Sequence, residues 1–279
     1  LQKMKAYRHE RLRPVLHLLA GIKLKKTFGG RLRFFGIGGS AVAPDVEAFL
    51  ADARFPYAIG YGLTETAPLI AGSAPFHTTL RSTGPALRGV ELRLADPKPD
   101  TGEGEIQARG PNVMRGYYKD PERTAEVMTA DGWFRTGDLG ALDAKGRLFI
   151  KGRLKTMILG ASGENIYPEE IEAMINKSAY VAESLVVPDG HGLTALVQLK
   201  DEVIAELKAK AQDRIEDFEM AAEELLEFVR KEVNQGLAAF SKVSKVKLHR
   251  EPFEKTPTQK IKRFLYTLKG PAAEATNRE

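Results

Sequence analysis

The spacing of apolar residues changes character along the chain. Residues 31–39 (RLRFFGIGG) form a short apolar run ending in glycines, which predicts a buried strand. Pro44 then opens a stretch with Val46, Phe49 and Leu50 on one face, the pattern of an amphipathic helix. Residues 55–62 are a second apolar run that again ends in Gly. Between 83 and 150 the short β-like runs 90–94, 104–108 and 147–150 alternate with Gly, Pro and Asp turns. That texture predicts a small barrel or a distorted antiparallel sheet, with 95–104 (ADPKPDTGEG) as a surface turn cluster.

A second unit is expected to start near Gly152. Pro168 followed by Glu169 and Glu170 is a helix start, with acids where the helix dipole favours them. Residues 184–187 and 194–199 pair across a turn at 188–192. Residues 201–235 lack breakers and are rich in Ala, Glu, Leu and Lys, so they predict one or two long helices. The period-two run 242–248 (KVSKVKL) predicts an exposed edge strand, 251–263 a polar loop, and the tail from Gly270 a disordered end.

Composition adds limits. A chain of 279 residues suggests about two domains, and 43% hydrophobic with 28% charged residues is an ordinary globular balance. The longest apolar runs, such as 15–22, fall far short of the ~20 residues that span a bilayer. Cys is absent, which excludes disulfides, thiolate metal sites and a Cys nucleophile, and the five histidines make no zinc spacing. Starting at Leu1 without a signal pattern, the chain is expected to be a trimmed piece or a fragment of a cytoplasmic protein. The net charge of +5 hides two basic ends, +9 over 1–33 and +7 over 241–269, around an acidic middle. Such ends suit a polyanionic partner or the surface of a membrane, but no amphipathic anchor supports the latter. Nucleic acid is not expected, because no recognition motif accompanies the basic runs.

Several motifs carry candidate chemistry. Residues 36–41 (GIGGSA) fit a dinucleotide fingerprint, yet Pro44 starts the helix too late and the next strand has no ribose-binding acid at its tip. A strand–helix turn that lets the backbone approach a ligand is the better reading. Gly60 and Gly62 flank Tyr61 and expose an aromatic face suited to a flat base. Thr64 and Glu65 place a hydroxyl beside a carboxylate, which serves phosphate and Mg²⁺ together, although a helix cap reads equally well. Asp138 is placed in a tight turn where it could accept two ribose hydroxyls, and Arg153 could reach the same sugar from the far side. Each taken alone is a turn acid and a surface cation. Lys260, on a loop between hydroxyl residues, suits a mobile phosphate-binding cation or is simply solvated.

The motifs taken in order are YGLTE at 61–65, GEIQARGPNVMRGYY at 104–118, FRTGDL at 134–139, GRLKTMILGASGENIYPEEIE at 152–172 and TPTQKIKR at 256–263. Together they resemble the adenylate-forming synthetase superfamily, and the long helical stretch with 234–248 is most similar to its long-chain fatty acid CoA ligases. The resemblance implies the C-terminal part of a large α/β domain with a β-barrel subdomain (1–152), followed by a small α+β lid domain (153–279) with its hinge at Lys155. It implies that a carboxylic acid attacks the α-phosphate of ATP to give acyl-AMP, and that coenzyme A then takes the acyl group. Tyr61 would stack on adenine, Gly38 and Gly39 would line the adenine and acyl pocket, and Gly62 would be a further nucleotide-binding position. Thr64 would contact phosphate, Glu65 would hold Mg²⁺, and Asp138 with Arg153 would clamp the ribose. Lys260 would bridge the carboxylate and α-phosphate oxygens. Gly160, Ala161, Ser162, Gly163, Glu164 and Asn165 would form a loop completing the coenzyme A tunnel.

Two departures stand out. Gln259 precedes the catalytic Lys where much of the superfamily has Gly, and the Ser/Thr/Gly-rich phosphate loop is missing. The chain is therefore expected to be inactive alone, with the N-terminal half of the same enzyme as its missing partner. Val15, Leu16, Leu18, Leu19 and Ile22, left uncovered, would promote self-association. Alternatives are an acyl-AMP ligase that loads a carrier protein and a non-catalytic short form that binds nucleotide or partners.

Overall fold

The structure is a computed structural model describing residues 13–160, 163–190, 192–212, 214–257 and 259–266. The chain divides into two compact units, Leu1–Lys155 and Thr156–Glu279.

The first unit begins with α1 (Arg13–Thr27), β1 (Phe35–Ile37), α2 (Pro44–Asp52), β2 (Tyr57–Gly62) and β3 (Leu69–Gly72). β1 and β2 are parallel, Phe35 opposite Tyr57 and Ile37 opposite Ile59, while β3 joins β2 antiparallel. Parallel strands need a crossover connection, usually a helix, and α2 lies between them in the chain. The strand expected over 31–39 is only three residues long. Phe35 N–H donates to the carbonyl of Pro56, and Pro56, lacking an N–H, cannot continue the ladder. The buried face of α2 also differs from expectation. Glu47 and Leu50 point inward and Val46 is exposed, because Glu47 accepts the Arg81 N–H at 2.9 Å within the core. Leu50, Phe55 and Tyr57 pack there with Phe35, Phe49 and Ile59. α1 meets α2 through a 3.1 Å contact of His17 Nδ1 with Asp52 Oδ2. It leaves Val15, Leu18, Leu19 and Ile22 exposed.

The unit continues with β4 (Gly84–Pro85), β5 (Glu91–Ala95), β6 (Gly104–Arg109), α3 (Pro121–Val127), β7 (Phe134–Leu142) and β8 (Arg147–Arg153). These strands form one antiparallel sheet in the order β4-β8-β7-β6-β5. The barrel expectation is corrected here: β4 and β5 remain separate edges, and no closed barrel exists among the described residues. β4 is two residues long and ends in Pro85, which cannot donate to a closing partner. Ile106 of β6 and Leu148 of β8 are fully buried and pack in one cluster with Ala71 of β3.

The second unit contains a short hairpin of β9 (Ile158–Leu159) and β10 (Asn165–Ile166), then α4 (Pro168–Ile175). β11 (Val181–Asp189), β12 (Gly192–Leu199), α5 (Asp201–Lys210), α6 (Ile215–Asn234) and β13 (Lys245–Leu248) follow. β11 and β12 form the expected antiparallel pair, and β13 adds to β12 in parallel as an edge strand. Ala222, Leu226, Val229 and Val233 recur at helical spacing on α6 and bury against Ile171, Ile175, Val186 and Val197. The fold class is mixed α/β. No helix among the described residues is long and apolar enough to cross a membrane. The tail from Gly270 lies outside the described residues.

Candidate functional site

In parallel α/β sheets, ligands collect beyond the carboxyl ends of the strands. Gly38 and Gly39 follow β1 at that end, and Tyr61 and Gly62 close the adjacent β2. Gly39 has φ +83°, a left-handed conformation that favours glycine. Gly38 is not needed by its own surroundings, since a Cβ there would lie an ordinary 3.5 Å from the Gly60 carbonyl. Its bareness leaves the strand end open to a ligand. At Gly62 the reason is different: a Cβ would collide with the Pro68 carbonyl. This glycine lets the chain fold back into β3.

Tyr61 is half-buried, and its hydroxyl donates to Asp138 Oδ2 at 2.7 Å. Asp138 is 5% exposed and lies within β7 rather than in a tight turn, so that expectation is corrected. Arg153 sits directly opposite it on β8, with Nε 3.2 Å from Asp138 Oδ1. The guanidinium therefore pairs with the acid across the ladder instead of approaching from a far side. A register shift between Leu139 and Gly140 sets this pairing. Burial, followed by the charge of Asp138, pushes the Tyr61 hydroxyl well above its usual range, so the phenol stays protonated and donates. A carboxylate has about four acceptor positions, so Asp138 can serve the tyrosine, the arginine and sugar hydroxyls together.

Thr64 and Glu65 lie on a single 3₁₀ turn, Thr64–Thr66, with Thr64 exposed and Glu65 half-buried. Thr66 is the residue that caps this turn: its Oγ1 accepts the Leu63 N–H at 2.9 Å. Thr64 and Glu65 are thereby spared that structural task. Glu65 Oε1 accepts from the Tyr117 hydroxyl at 3.0 Å, and its backbone carbonyl accepts the Met114 N–H at 2.8 Å. Burial and then Glu65 raise the Tyr117 hydroxyl above its usual range. Asn112 Nδ2 donates to the carbonyls of Thr66 and Leu69 at 2.7 and 2.8 Å, closing the following turn. Among the described residues no group of three acidic, His or Cys side chains could hold a metal. A single half-buried carboxylate beside a hydroxyl nevertheless fits Mg²⁺ that takes its other ligands from phosphate and water. Sequence reasoning missed Tyr117 and Asn112, both of which lie inside the 104–118 motif.

Apart from Lys155, the second unit carries the remaining candidates. Lys260 is exposed on a turn where Gln259 has φ +63°. Gly160, Gly163 and Glu164 belong to the β9–β10 turn, closed by Gly160 N–H to the Glu164 carbonyl at 2.8 Å, and Asn165 opens β10 opposite Leu159. Ala161 and Ser162 lie outside the described residues. Lys155 is an exposed turn residue at the end of the first unit. Glu172 is buried, accepts the Val186 N–H at 2.7 Å, and pairs with Arg263. Burial outweighs that pairing and pushes its carboxyl up to about 7.

A parallel βαβ unit whose strand ends present glycines and an aromatic ring, the ring bonded to a shielded acid on β7, has the form of a nucleotide-using enzyme. The comparisons agree. Residues 7–118 match the AMP-binding enzyme family. The chain is 34% identical over 270 residues to the peroxisomal long chain acyl-CoA synthetase 7 of Arabidopsis thaliana, covering 86% of this chain and 38% of that protein. It is 31% identical over 279 residues to the chloroplastic long-chain-fatty-acid–[acyl-carrier-protein] ligase AEE15 of the same plant, covering 91% of this chain and 37% of that protein. Among solved structures, o-succinylbenzoate CoA synthetase from Bacillus subtilis, in complex with an acyl-adenylate intermediate, superposes with a TM-score of 0.68. That match has 26% identity and covers 85% of this chain and 46% of the other. The chain belongs to the adenylate-forming AMP-binding enzymes, and it spans less than half the length of these relatives.

Proposed function

We propose that these residues serve an AMP-forming ligase that activates a carboxylic acid, a long-chain fatty acid first among candidates, and passes it to coenzyme A. The Tyr61–Asp138–Arg153 cluster carries this reading. It joins an aromatic ring at the end of β2, suited to adenine, to a shielded carboxylate on β7, suited to a ribose. In the first half-reaction the acid's carboxylate attacks the α-phosphorus and pyrophosphate leaves. In the second the thiol attacks the acyl carbonyl and AMP leaves. Tyr61 would orient the base, Asp138 and Arg153 the sugar, and Thr64 a phosphate oxygen. Glu65 would hold Mg²⁺, whose charge would screen the phosphates. Lys260 would place positive charge on the α-phosphate and carboxylate oxygens as charge builds there.

The relatives support the acyl class, since the two named above act on long chain acids. They differ in acceptor, because one is a coenzyme A enzyme and the other an acyl-carrier-protein ligase. Coenzyme A is preferred because the acyl-CoA synthetase shares the higher identity. The test is carboxylate-dependent ATP–pyrophosphate exchange with a panel of fatty acids, followed by acyl transfer to coenzyme A or to carrier protein. The full-length gene product should exchange and should prefer coenzyme A. The 279 residues alone should exchange several orders of magnitude more slowly, since no glycine-rich cradle for the β- and γ-phosphates occurs among them. Robust exchange by the isolated chain would refute the second statement, and none by the full-length product would refute the first.

A further inference from the structure

The segment bearing Lys260 is a hairpin too small to order itself. Lys255 bridges Ile261, Lys262 N–H donates to the Glu254 carbonyl at 2.8 Å, and Thr256 N–H donates to the Lys260 carbonyl at 2.8 Å. Lys260 N–H reaches Thr256 Oγ1 at 3.2 Å. A single bridge with one tight turn is marginal in water, so the order of this hairpin must come from what grips its two shoulders.

Both shoulders are gripped by carboxylates of the same unit. On one side Lys255 Nζ lies 2.6 Å from Glu183 Oε1 on β11, with side-chain exposures of 28% and 34%. On the other, Arg263 pairs with Glu172 of α4, lies 3.6 Å from Glu169 Oε1, and donates to the Val186 carbonyl at 3.5 Å. Between them Ile261 packs against the cluster of Leu185, Val187 and Phe253. The hairpin is thus fastened to α4 and β11 at three points, leaving the Lys260 tip exposed.

Stability alone does not account for the carboxylates. α4 already packs on the sheet through Ile171 and Ile175, both 1% exposed, and a buried ion pair adds little that apolar residues would not. Position does account for them. A lysine is a point charge on a flexible four-carbon stem, so the placement of its charge depends on how firmly its backbone is fixed.

We propose that Glu172 and Glu183 are positioning residues that set Lys260 for the adenylation half-reaction by clamping the two shoulders of its hairpin. The inference rests on the reading of Lys260 given above. The test has two arms. In the first, hydrogen exchange is followed in the 279-residue chain at the amides of Thr256, Lys260 and Lys262. Glu183→Lys should speed exchange there roughly 5-fold, the scale of losing one part-exposed pair and facing like charges. Combining it with Lys255→Glu should restore the original rates, while amides of α6 stay unchanged throughout. Glu172→Gln should also loosen the hairpin.

In the second arm the full-length gene product is assayed in separate half-reactions. Glu183→Lys should slow acyl-AMP formation several-fold, spare thioester formation from supplied acyl-AMP, and be rescued by Lys255→Glu. Unchanged exchange in both carboxylate variants, failure of the swap to rescue, or equal loss of both half-reactions would overturn the proposal. Lys260→Ala separates the two readings. If it leaves adenylation intact, the role of Lys260 falls and with it the positioning role. If it abolishes adenylation while the clamp variants have no effect, only the clamp falls.

Discussion

Replacing Tyr61 by Phe separates the two tasks assigned to that side chain. The hydroxyl makes a 2.7 Å bond to a carboxylate that is 5% exposed, so its removal deletes a charge-assisted hydrogen bond and strips a donor from a shielded anion. Hydrogen bonds to charged groups contribute about 1.5–3 kcal/mol, and Arg153 remains on the other oxygen, so a loss of about 2 kcal/mol is expected. In a unit of this size that lowers the melting temperature by roughly 4–8 °C. The ring, by contrast, is kept. If adenine stacks on it, AMP affinity should change no more than about 3-fold in Tyr61→Phe, whereas Tyr61→Ala should lose about 10- to 100-fold, the scale of one base–aromatic stack. Denaturant unfolding and calorimetric titration with AMP read the two effects separately. A Phe variant as stable as the parent would refute the strength assigned to the Asp138 contact. A Phe variant that binds AMP as poorly as the Ala variant would refute stacking as the role of the ring.

Lys260→Ala should cut acyl-AMP formation by ~10² or more and spare thioester formation from supplied acyl-AMP, both measured as single half-reactions. Lys155→Pro should do the reverse if Lys155 is the hinge that the resemblance implies, because a ring-locked φ would hinder movement of the lid about it. Gln259→Gly should leave the fold unharmed or raise its stability by up to about 1 kcal/mol in denaturant titration, since the left-handed φ of +63° costs a side chain more than a glycine. Glu172 has a folded-state value of about 7 against 4.5 for the free carboxyl, so the native state takes up a proton. Its contribution is therefore complete below about 4.5 and is lost as pH rises through 7, by at most about 3 kcal/mol, and Glu172→Gln should flatten that slope in unfolding titrations between pH 5 and 8.

What could be read from the sequence depended on the range of the interaction involved. Pro168 with its two following acids marks α4, and the breaker-free stretch 201–235, rich in Ala, Glu, Leu and Lys, marks α5 and α6, because each signal is complete within a few turns. Sheet closure was not legible, since whether β4 meets β5 depends on residues far apart whose local pattern is the same in an open or a closed sheet. The candidate site divides in the same way. Asp138 and Arg153 could be chosen by residue type, but their pairing depends on the β7–β8 register, which a one-residue slip would destroy. The Tyr61–Asp138 bond joins residues 77 apart, and no local pattern announces it. Tyr117 and Tyr118 show the limit most plainly. They are adjacent and chemically identical, yet Tyr117 turns inward to Glu65 while Tyr118 is 87% exposed, and only the packing of their segment against the Thr64–Thr66 turn distinguishes them. Motif order thus selected the residues able to do the chemistry. Tyr117 and Glu172 lie inside quoted motifs and Glu183 in none, but the contacts that would let them aim those residues come from long-range packing that no motif announces. Variants of Tyr117, Glu172 and Glu183 should therefore alter how well the nucleotide or Lys260 is placed, while variants of Tyr61 or Lys260 should alter the contacts themselves.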